Sequence, residues 1–331
     1  MKHLTAHPCF LLFLLPALLL AACARNTEPV SRQGFYFDTV IRITLYDTDE
    51  PELLDHCFAL AEKYENLLSK TKEGSDVWKL NHADGAPVEL QEDTLRLLRT
   101  ALSYAELTGG RIDPTVGSVS RLWNFTDPEA AVLPEPSLLT EALTHVDYRR
   151  ITIDGSRAAL NDPDAELDLG FIAKGYIADR IKDYLVSQGV TSALINLGGN
   201  VLAVGGKPDG SPFKVGIQKP FSADGSTACV LSVTDLSVVS SGNYERYFMK
   251  DGKIYHHILD TKTGYPVRNN LSEVTVLCRS STDGDALSTA CFILGAEKGM
   301  ALIESLPDTE ALFLTAEGEI LRSDGLKTIY D

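Results

Sequence analysis

The order of helical and strand patterns along the chain is the feature that most constrains its fold. Strand patterns cluster in the second half, helical patterns are interleaved with them, and no regular strand–helix–strand alternation runs through the 331 residues. A parallel sheet covered by helices on both faces requires that alternation. The sequence therefore predicts an α+β or mixed α/β fold. Because no Pro/Gly/Ser-rich linker and no fixed-period repeat interrupts it, we expect a single large domain or two intimately packed lobes.

Apolar spacing and turn residues predict the individual elements. Helices are expected over residues 51–68, 94–107, 172–188 and 283–294, and a loop followed by a helix over 111–125. A hairpin is expected over 148–161, with Asp154 and Gly155 at its turn. Strands are expected over residues 35–46, 192–204, 213–218, 228–240, 244–249, 253–258, 273–278, 310–315 and 319–322.

The N-terminus has the pattern of a bacterial lipoprotein signal. Lys2 and His3 precede an apolar run over residues 10–20, and Leu-Ala-Ala then leads into Cys23. We expect a signal peptide over 1–22, a lipidated Cys23, a polar tether over 23–32 and a folded domain over 33–331. That predicts an exported protein anchored by lipid to the extracytoplasmic face of the membrane. In the alternative reading, the signal peptide is an ordinary one and Cys23 is incidental.

Charge and cysteine usage exclude two classes of protein. The formal net charge is −16, whereas a nucleic-acid binder needs a basic surface to replace counterions. No Cys-x-x-Cys pair is present, which argues against a zinc or thioredoxin-type site. Cys278 and Cys291 lie in apolar patterns typical of a core, and one disulfide is possible in an exported chain.

Residues 240–295 carry polar side chains in an arrangement that packing alone explains poorly. Asp285 lies four residues before Thr289 in a helical pattern, so a carboxylate and a hydroxyl share one helix face. Such hard oxygens suit Mg²⁺ beside a phosphate. His256 and His257 run into Asp260, and on a strand one of the two histidines points inward. A lone inward histidine is usually a core residue, but this clustering also fits a catalytic role.

A second motif, LDLGFIAKGYIAD, holds Asp168, a glycine turn and Lys174 at the start of a helix. Turn amides, a helix N-terminus and an ammonium group can together face an anion. The same residues are also compatible with a structural alternative, a capped amphipathic helix that carries a surface lysine. In a third motif, Asp113 lies in a constrained turn and could accept hydrogen bonds from a ligand, while Trp123 and Phe125 fit core positions better.

Six segments together resemble the ApbE family of FAD:protein FMN transferases. They are DPTVGSVSRLWNF, LDLGFIAKGYIAD, ALINLGGNVLAVGG, SSGNYERYF, YHHILDTKTGYPV and DALSTACFILG, in the family's order. The resemblance implies an α+β fold of mixed sheets with packed helices, related to the T-fold of tetrahydrobiopterin-type enzymes, as a single large domain. It also implies an Mg²⁺-dependent enzyme that moves FMN from FAD to a threonine or serine hydroxyl and releases AMP. The expected acceptors are exported FMN-binding-domain proteins, such as subunits of ion-pumping redox complexes.

The resemblance also implies roles for single residues. The Mg²⁺ ligands would be the side chains of Asp285 and Thr289 and the backbone carbonyl of Phe171. His257 is the first choice of general base, with Asp285 or Asp260 as alternatives. The residues that would contact FAD are Phe37, Thr71, Arg111, Ile112, Asp113, Asp168, Lys174 and Leu259.

The chain departs from the family pattern at two of these positions. Phe37-Asp38-Thr39 stands where Met-Gly-Thr is usual, and Phe171 replaces a usual Gly or Ala. Two other functions compete with the transferase. A lipid-anchored solute-binding protein has a similar length but normally shows two βαβ lobes. An FAD pyrophosphatase, which hydrolyses FAD to FMN and AMP, could use the same site.

Overall fold

The computed structural model describes residues 28–125, 131–222 and 225–329. The predicted signal peptide and Cys23 lie outside these residues. None of the helices in the described ranges is both long enough and apolar enough to span a membrane.

An eight-stranded sheet forms the centre of the molecule. Its order is β1-β2-β6-β7-β10-β13-β14-β15, and every neighbouring pair is antiparallel. Three small sheets accompany it, with orders β3-β5-β4, β8-β9 and β11-β12. The strands are β1 (Val30–Tyr36), β2 (Thr39–Leu45), β3 (Val88–Glu89), β4 (Ile151–Asp154), β5 (Arg157–Leu160), β6 (Ala193–Leu197), β7 (Asn200–Val204), β8 (Phe213–Gln218), β9 (Thr227–Val233), β10 (Ser237–Gly242), β11 (Tyr247–Lys250), β12 (Lys253–His256), β13 (Leu271–Cys278), β14 (Glu310–Thr315) and β15 (Ile320–Arg322).

Helices cover one face of this sheet and a hairpin covers the other. Helices α6 and α7 pack against each other, and α7 also lies against β10 and β13. On the opposite face, Phe213 of the β8–β9 hairpin packs with Ala203 and Val238 of the central strands. The helices are α1 (Pro51–Leu68), α2 (Asp76–Asn81), α3 (Glu92–Leu107), α4 (Gly117–Ser120), α5 (Pro136–Leu143), α6 (Ala173–Ser187), α7 (Ser281–Leu294), α8 (Ala296–Glu304) and α9 (Asp324–Ile329).

A shared core joins the two halves of the chain into one domain. Leu54 of α1 and Leu97 of α3 belong to the same buried cluster as Ile177 of α6 and Leu202 of β7. The prediction of a mixed fold without βαβ alternation is confirmed, and the two-lobed architecture of a solute-binding protein is absent from the described part of the chain. Cys278 and Cys291 are buried core residues, as expected. All four described cysteines are free, so none of them forms the disulfide considered above.

Three predicted strands are each broken into two. The one expected over 192–204 is divided into β6 and β7 by Gly198 and Gly199, which have φ of 59° and 87°. The alternating pattern over 35–46 spans the β1–β2 hairpin, whose turn residues Phe37 and Asp38 have φ of 54° and 57°. That left-handed turn type usually selects Asn-Gly, so the pattern carried no turn signal. The pattern over 228–240 is likewise interrupted, by Asp235 at φ 51°. Strand β1 begins at Val30, within the segment 23–32 that was assigned to the tether.

The long helices are confirmed to within two residues, at 51–68, 94–107, 172–188 and 283–294. The hairpin over 148–161 is also confirmed. Sequence patterns missed the short helices α2, α5, α8 and α9, which have between six and nine residues.

Candidate active site

A cavity of about 1220 Å³ lies between the helical layer, the turns at the sheet edge and the two small hairpins. The predicted site residues in the described ranges line it, except for Asp285, which lies behind the wall against Lys174, and Asp260, the alternative base. Cys23 lies outside the described residues. The lining members of the predicted set are Phe37, Thr71, Arg111, Ile112, Asp113, Asp168, Phe171, Lys174, His257, Leu259 and Thr289.

Asp168 is held as a carboxylate on one wall. Its Oδ2 lies 2.9 Å from Lys70 Nζ and accepts a hydrogen bond from Ser120 Oγ at 3.1 Å. Its Oδ1 accepts the Gly170 amide at 2.9 Å. Burial alone would raise the pKa of Asp168, but Lys70 and these hydrogen bonds outweigh it and lower the pKa to about 2. Asp168 is therefore ionised at neutral pH and neutralises Lys70.

The start of α6 meets α7 at a glycine. A Cβ on Gly175 would lie 2.1 Å from the carbonyl oxygen of Ser281, so only glycine allows this approach. The Gly175 amide donates to Asp285 Oδ2 at 2.9 Å, and Lys174 Nζ lies 3.4 Å from Asp285 Oδ1. Burial raises the pKa of Asp285, and Lys174 acts in the opposite direction. The Lys174-Gly175 motif therefore docks one helix on the other and sets a cation beside a buried carboxylate.

The oxygens around Asp285 fit a hard divalent cation. Gly175 is the third residue of α6, so its amide is one of the first-turn donors that have no partner within the helix, and Asp285 Oδ2 accepts it. The Phe171 carbonyl, two residues before the helix, accepts no hydrogen bond from the described residues. The Thr289 hydroxyl follows one turn after Asp285 and shares a hydrogen bond of 3.1 Å with Ser241. A carboxylate, a free carbonyl and a hydroxyl are the ligand types that Mg²⁺ prefers.

The two adjacent histidines face opposite ways, as the strand pattern predicts. His256 is buried: its Nε2 lies 3.0 Å from the Val267 carbonyl, and its Nδ1 accepts the Ile258 amide at 3.3 Å. Burial lowers the pKa of His256 to about 4. His256 is therefore a neutral core residue.

His257 instead lines the cavity, and its Nδ1 is buried without a hydrogen-bond partner among the described residues. Burial lowers its pKa well below 6.5, and the nearby cations Arg246 and Lys174 lower it further. The imidazole is neutral at pH 7 and can accept a proton.

The carboxylates of Asp260 and Asp113 already accept hydrogen bonds from other residues of the protein. Arg111 makes two hydrogen bonds to Asp260, each of 3.2 Å, which leaves Asp260 poorly placed to act as a base. Both Asp113 oxygens accept hydrogen bonds, Oδ1 from Thr115 and Oδ2 from the Tyr148 amide at 2.9 Å. The ligand contact expected of Asp113 stays a prediction. In this structure its carboxylate fixes the loop that carries Arg111.

Trp123 and Phe125 combine the core role with a place on the cavity wall. Trp123 is buried, stacks on Phe125 with ring centroids 5.5 Å apart, and donates from its indole to the Gly264 carbonyl at 3.0 Å. The Gly-Tyr-Pro turn at 264–266 therefore supports this wall.

Sequence patterns missed several cavity residues. Lys70 gave no signal beyond its place in a Lys-Thr-Lys run. The strand expected over 244–249 starts only at Tyr247, and Tyr244, Glu245 and Arg246 line the cavity instead. Loss of hydration in the surrounding protein raises the pKa of the Glu245 carboxyl to about 7, although the nearby cations Lys174 and Arg246 act in the opposite direction. Glu273 is a fully buried acid on the central strand β13 and accepts a hydrogen bond from Tyr244 at 3.0 Å.

Comparison with known proteins gives a consistent assignment. The ApbE family model matches residues 37–313. A curated FAD:protein FMN transferase from Treponema pallidum is 37% identical over 316 residues, which cover 89% of this chain and 87% of that protein. One from Klebsiella pneumoniae is 38% identical over 286 residues, which cover 86% and 88%.

Solved structures agree with the sequence comparison. The crystal structure of the ApbE protein from Thermotoga maritima matches with a TM-score of 0.85 and 31% identity, over 92% of this chain and 100% of that one. The flavin transferase ApbE from Vibrio cholerae matches with a TM-score of 0.82 and 28% identity, over 91% and 99%. Because the family model matches most of the sequence and the solved ApbE structures share the fold, the chain belongs to the ApbE family.

Proposed function

We propose that this chain is an Mg²⁺-dependent FAD:protein FMN transferase. It moves the FMN half of FAD onto a threonine or serine hydroxyl of an exported protein and releases AMP. The observation that carries the proposal is the arrangement around one cavity: the Lys174–Asp285 pair lies on α6 and α7, and a neutral His257 lines the same cavity. The curated relatives named for this activity support it.

The cavity has the size and charge that the substrate needs. Its volume of about 1220 Å³ exceeds the roughly 300–1,000 Å³ of an ordinary small-molecule pocket. A dinucleotide and an incoming side chain therefore both have room. Lys70 and Lys174 supply positive charge for a diphosphate, and each is partly neutralised by a carboxylate.

The residues that would hold Mg²⁺ are Asp285, Thr289 and the carbonyl of Phe171. When bound, the ion neutralises charge on the diphosphate and on the departing AMP. Asp285 is less suited than His257 to be the base, because it lies behind the cavity wall and its two oxygens already face the Gly175 amide and Lys174. His257 remains as the group that takes the proton of the acceptor hydroxyl.

Export and anchoring belong to the same proposal. The Leu-Ala-Ala-Cys sequence ending at Cys23 supports lipidation of that cysteine. A lipid-anchored enzyme would meet acceptors on the extracytoplasmic side, such as FMN-binding-domain subunits of ion-pumping redox complexes. An enzyme retained in the cytoplasm, or a Cys23→Ala variant that remains lipidated, would contradict this part.

The test follows the products of FAD. The protein is incubated with FAD and Mg²⁺, with and without an exported FMN-binding-domain protein, and the small molecules are separated chromatographically. Release of AMP without an equal amount of free FMN, and only with the acceptor present, supports the transferase. Equal release of AMP and FMN would favour the pyrophosphatase, and no consumption of FAD would contradict both.

A further inference from the structure

All but one of the cationic side chains that line the cavity are paired with a carboxylate. Six lysine and arginine side chains line it, and five of them have a carboxylate within 4 Å. Arg246 is the exception, because no carboxylate of the described residues lies within that distance of it. The five pairs are Lys70–Asp168, Lys72–Glu65, Arg111–Asp260, Arg121–Glu166 and Lys174–Asp285.

The position of Arg246 ties it to the candidate base. The His257 amide donates a hydrogen bond to the Arg246 carbonyl at 3.1 Å. The next pair of the β11–β12 hairpin, Tyr247 and His256, are register partners. Arg246 and His257 are thus held opposite each other across the hairpin, both on the cavity wall.

The guanidinium of Arg246 is available to a ligand in the cavity. The side chain is exposed and makes no hydrogen bond to the described residues. Its positive charge also lowers the pKa of His257, which shows that the two side chains are close. Guanidinium groups match phosphate oxygens in charge and in geometry, so a phosphate is the ligand chemistry that fits.

We propose that Arg246 binds the phosphate of the departing nucleotide. This rests on the proposed transfer reaction. The acceptor hydroxyl oxygen bonds to the phosphorus of the FMN half, and the bond from that phosphorus to the bridging oxygen breaks. The bridging oxygen leaves on the AMP phosphate with the bonding electron pair, and the hydroxyl proton passes to His257. Arg246 then faces the negative charge that grows on the leaving phosphate.

The test separates phosphate binding from a general effect on the cavity. Dissociation constants for AMP and for adenosine, which lacks the phosphate, are measured by calorimetry in the presence of Mg²⁺. The proteins are wild type, Arg246→Gln, Arg246→Lys and the control Arg149→Gln. Arg149 is an exposed guanidinium paired with Asp147 at 2.7 Å, and it lies outside the cavity lining.

We expect Arg246→Gln to weaken AMP about tenfold or more while adenosine changes little, because only AMP loses a charge-assisted hydrogen bond. Arg246→Lys should recover part of the loss, and Arg149→Gln should match wild type. With FAD as substrate, kcat of Arg246→Gln should fall more than KM rises.

Three results would overturn the inference: equal weakening of AMP and adenosine, no change in either, or a wild-type protein that binds both alike. The binding measurements require no acceptor protein. A failure of the inference is therefore distinguishable from a failure of the proposed transfer, in which wild type consumes no FAD.

Discussion

The amide of Gly175, in the first turn of α6, donates its hydrogen bond to Asp285 Oδ2 on α7, at 2.9 Å. This bond holds the Asp285 carboxylate in a fixed place and satisfies an amide that has no acceptor within its own helix. The Phe171 carbonyl, two residues before α6, accepts no hydrogen bond from the described residues. A helix–helix contact that requires glycine thus arranges the oxygens proposed to bind Mg²⁺.

Asp285→Asn keeps the size of the side chain and removes its charge. We expect Mg²⁺-dependent FAD turnover to fall by at least about a hundredfold, since metal charge neutralisation is worth several kcal/mol. The matched control is Asp283→Asn on the same helix, where the carboxylate accepts a hydrogen bond from Tyr104 at 2.7 Å. Turnover measured against Mg²⁺ concentration distinguishes the two. Full activity of Asp285→Asn would refute its role as a metal ligand.

Gly175→Ala tests the helix contact through the sign of its effect. Helix propensity alone predicts stabilisation by about 1 kcal/mol. The structure predicts destabilisation by about 1–3 kcal/mol or more, because the new Cβ would overlap the Ser281 carbonyl. Urea unfolding gives the free energy directly. An alanine variant at least as stable as wild type would show that α6 and α7 do not meet as described.

His256 should make stability depend on pH. In the folded state its pKa is about 4, against an ordinary value of 6.5. Between pH 6.5 and about 4, the unfolded chain binds a proton at this residue and the folded chain does not. The free energy of unfolding therefore decreases as the pH falls through this range, by at most about 3 kcal/mol. Unfolding free energies of wild type and His256→Gln at neutral and acid pH measure it. An equal loss of unfolding free energy on acidification in wild type and His256→Gln would show that His256 is not buried in its neutral form.

His257 should set the acid limb of the rate profile. Because burial and the nearby cations hold its pKa well below 6.5, turnover should stay level as pH falls through 6.5 and decline only further down. Removing the cation in Arg246→Gln should move the acid limb to higher pH. The profile of kcat/KM for FAD records both effects. A limb at or above 6.5 in wild type, or no movement in the variant, would argue against His257 as the base.

The sequence predicted well the elements that carry their own periodicity. Helix α7 carries an apolar pattern over most of its length, and that pattern predicts a helix over residues 283–294. The β1–β2 turn failed because Phe37 and Asp38 adopt left-handed backbone conformations without the usual Asn or Gly. A local sequence pattern does not predict a turn conformation that packing with other parts of the chain imposes.

The candidate site depends on both kinds of signal. Asp285 and Thr289 are predicted together because their four-residue spacing on a helix is visible in the sequence, and the structure places both on α7. Lys70 and Arg246 were missed because their place on the cavity wall depends on contacts across long stretches of chain, such as Lys70 with Asp168. Whether a cation is paired or free can be judged only when the surrounding acids are in place.

The most direct measurement is the mass of the acceptor protein after incubation with this enzyme, FAD and Mg²⁺. We expect an acceptor heavier by one covalently bound FMN, less water. Peptide mapping should locate the adduct on a threonine or serine, and alanine at that residue should abolish it. One AMP should appear for each adduct. An acceptor of unchanged mass while FAD is consumed would contradict the transfer reaction and leave hydrolysis as the activity.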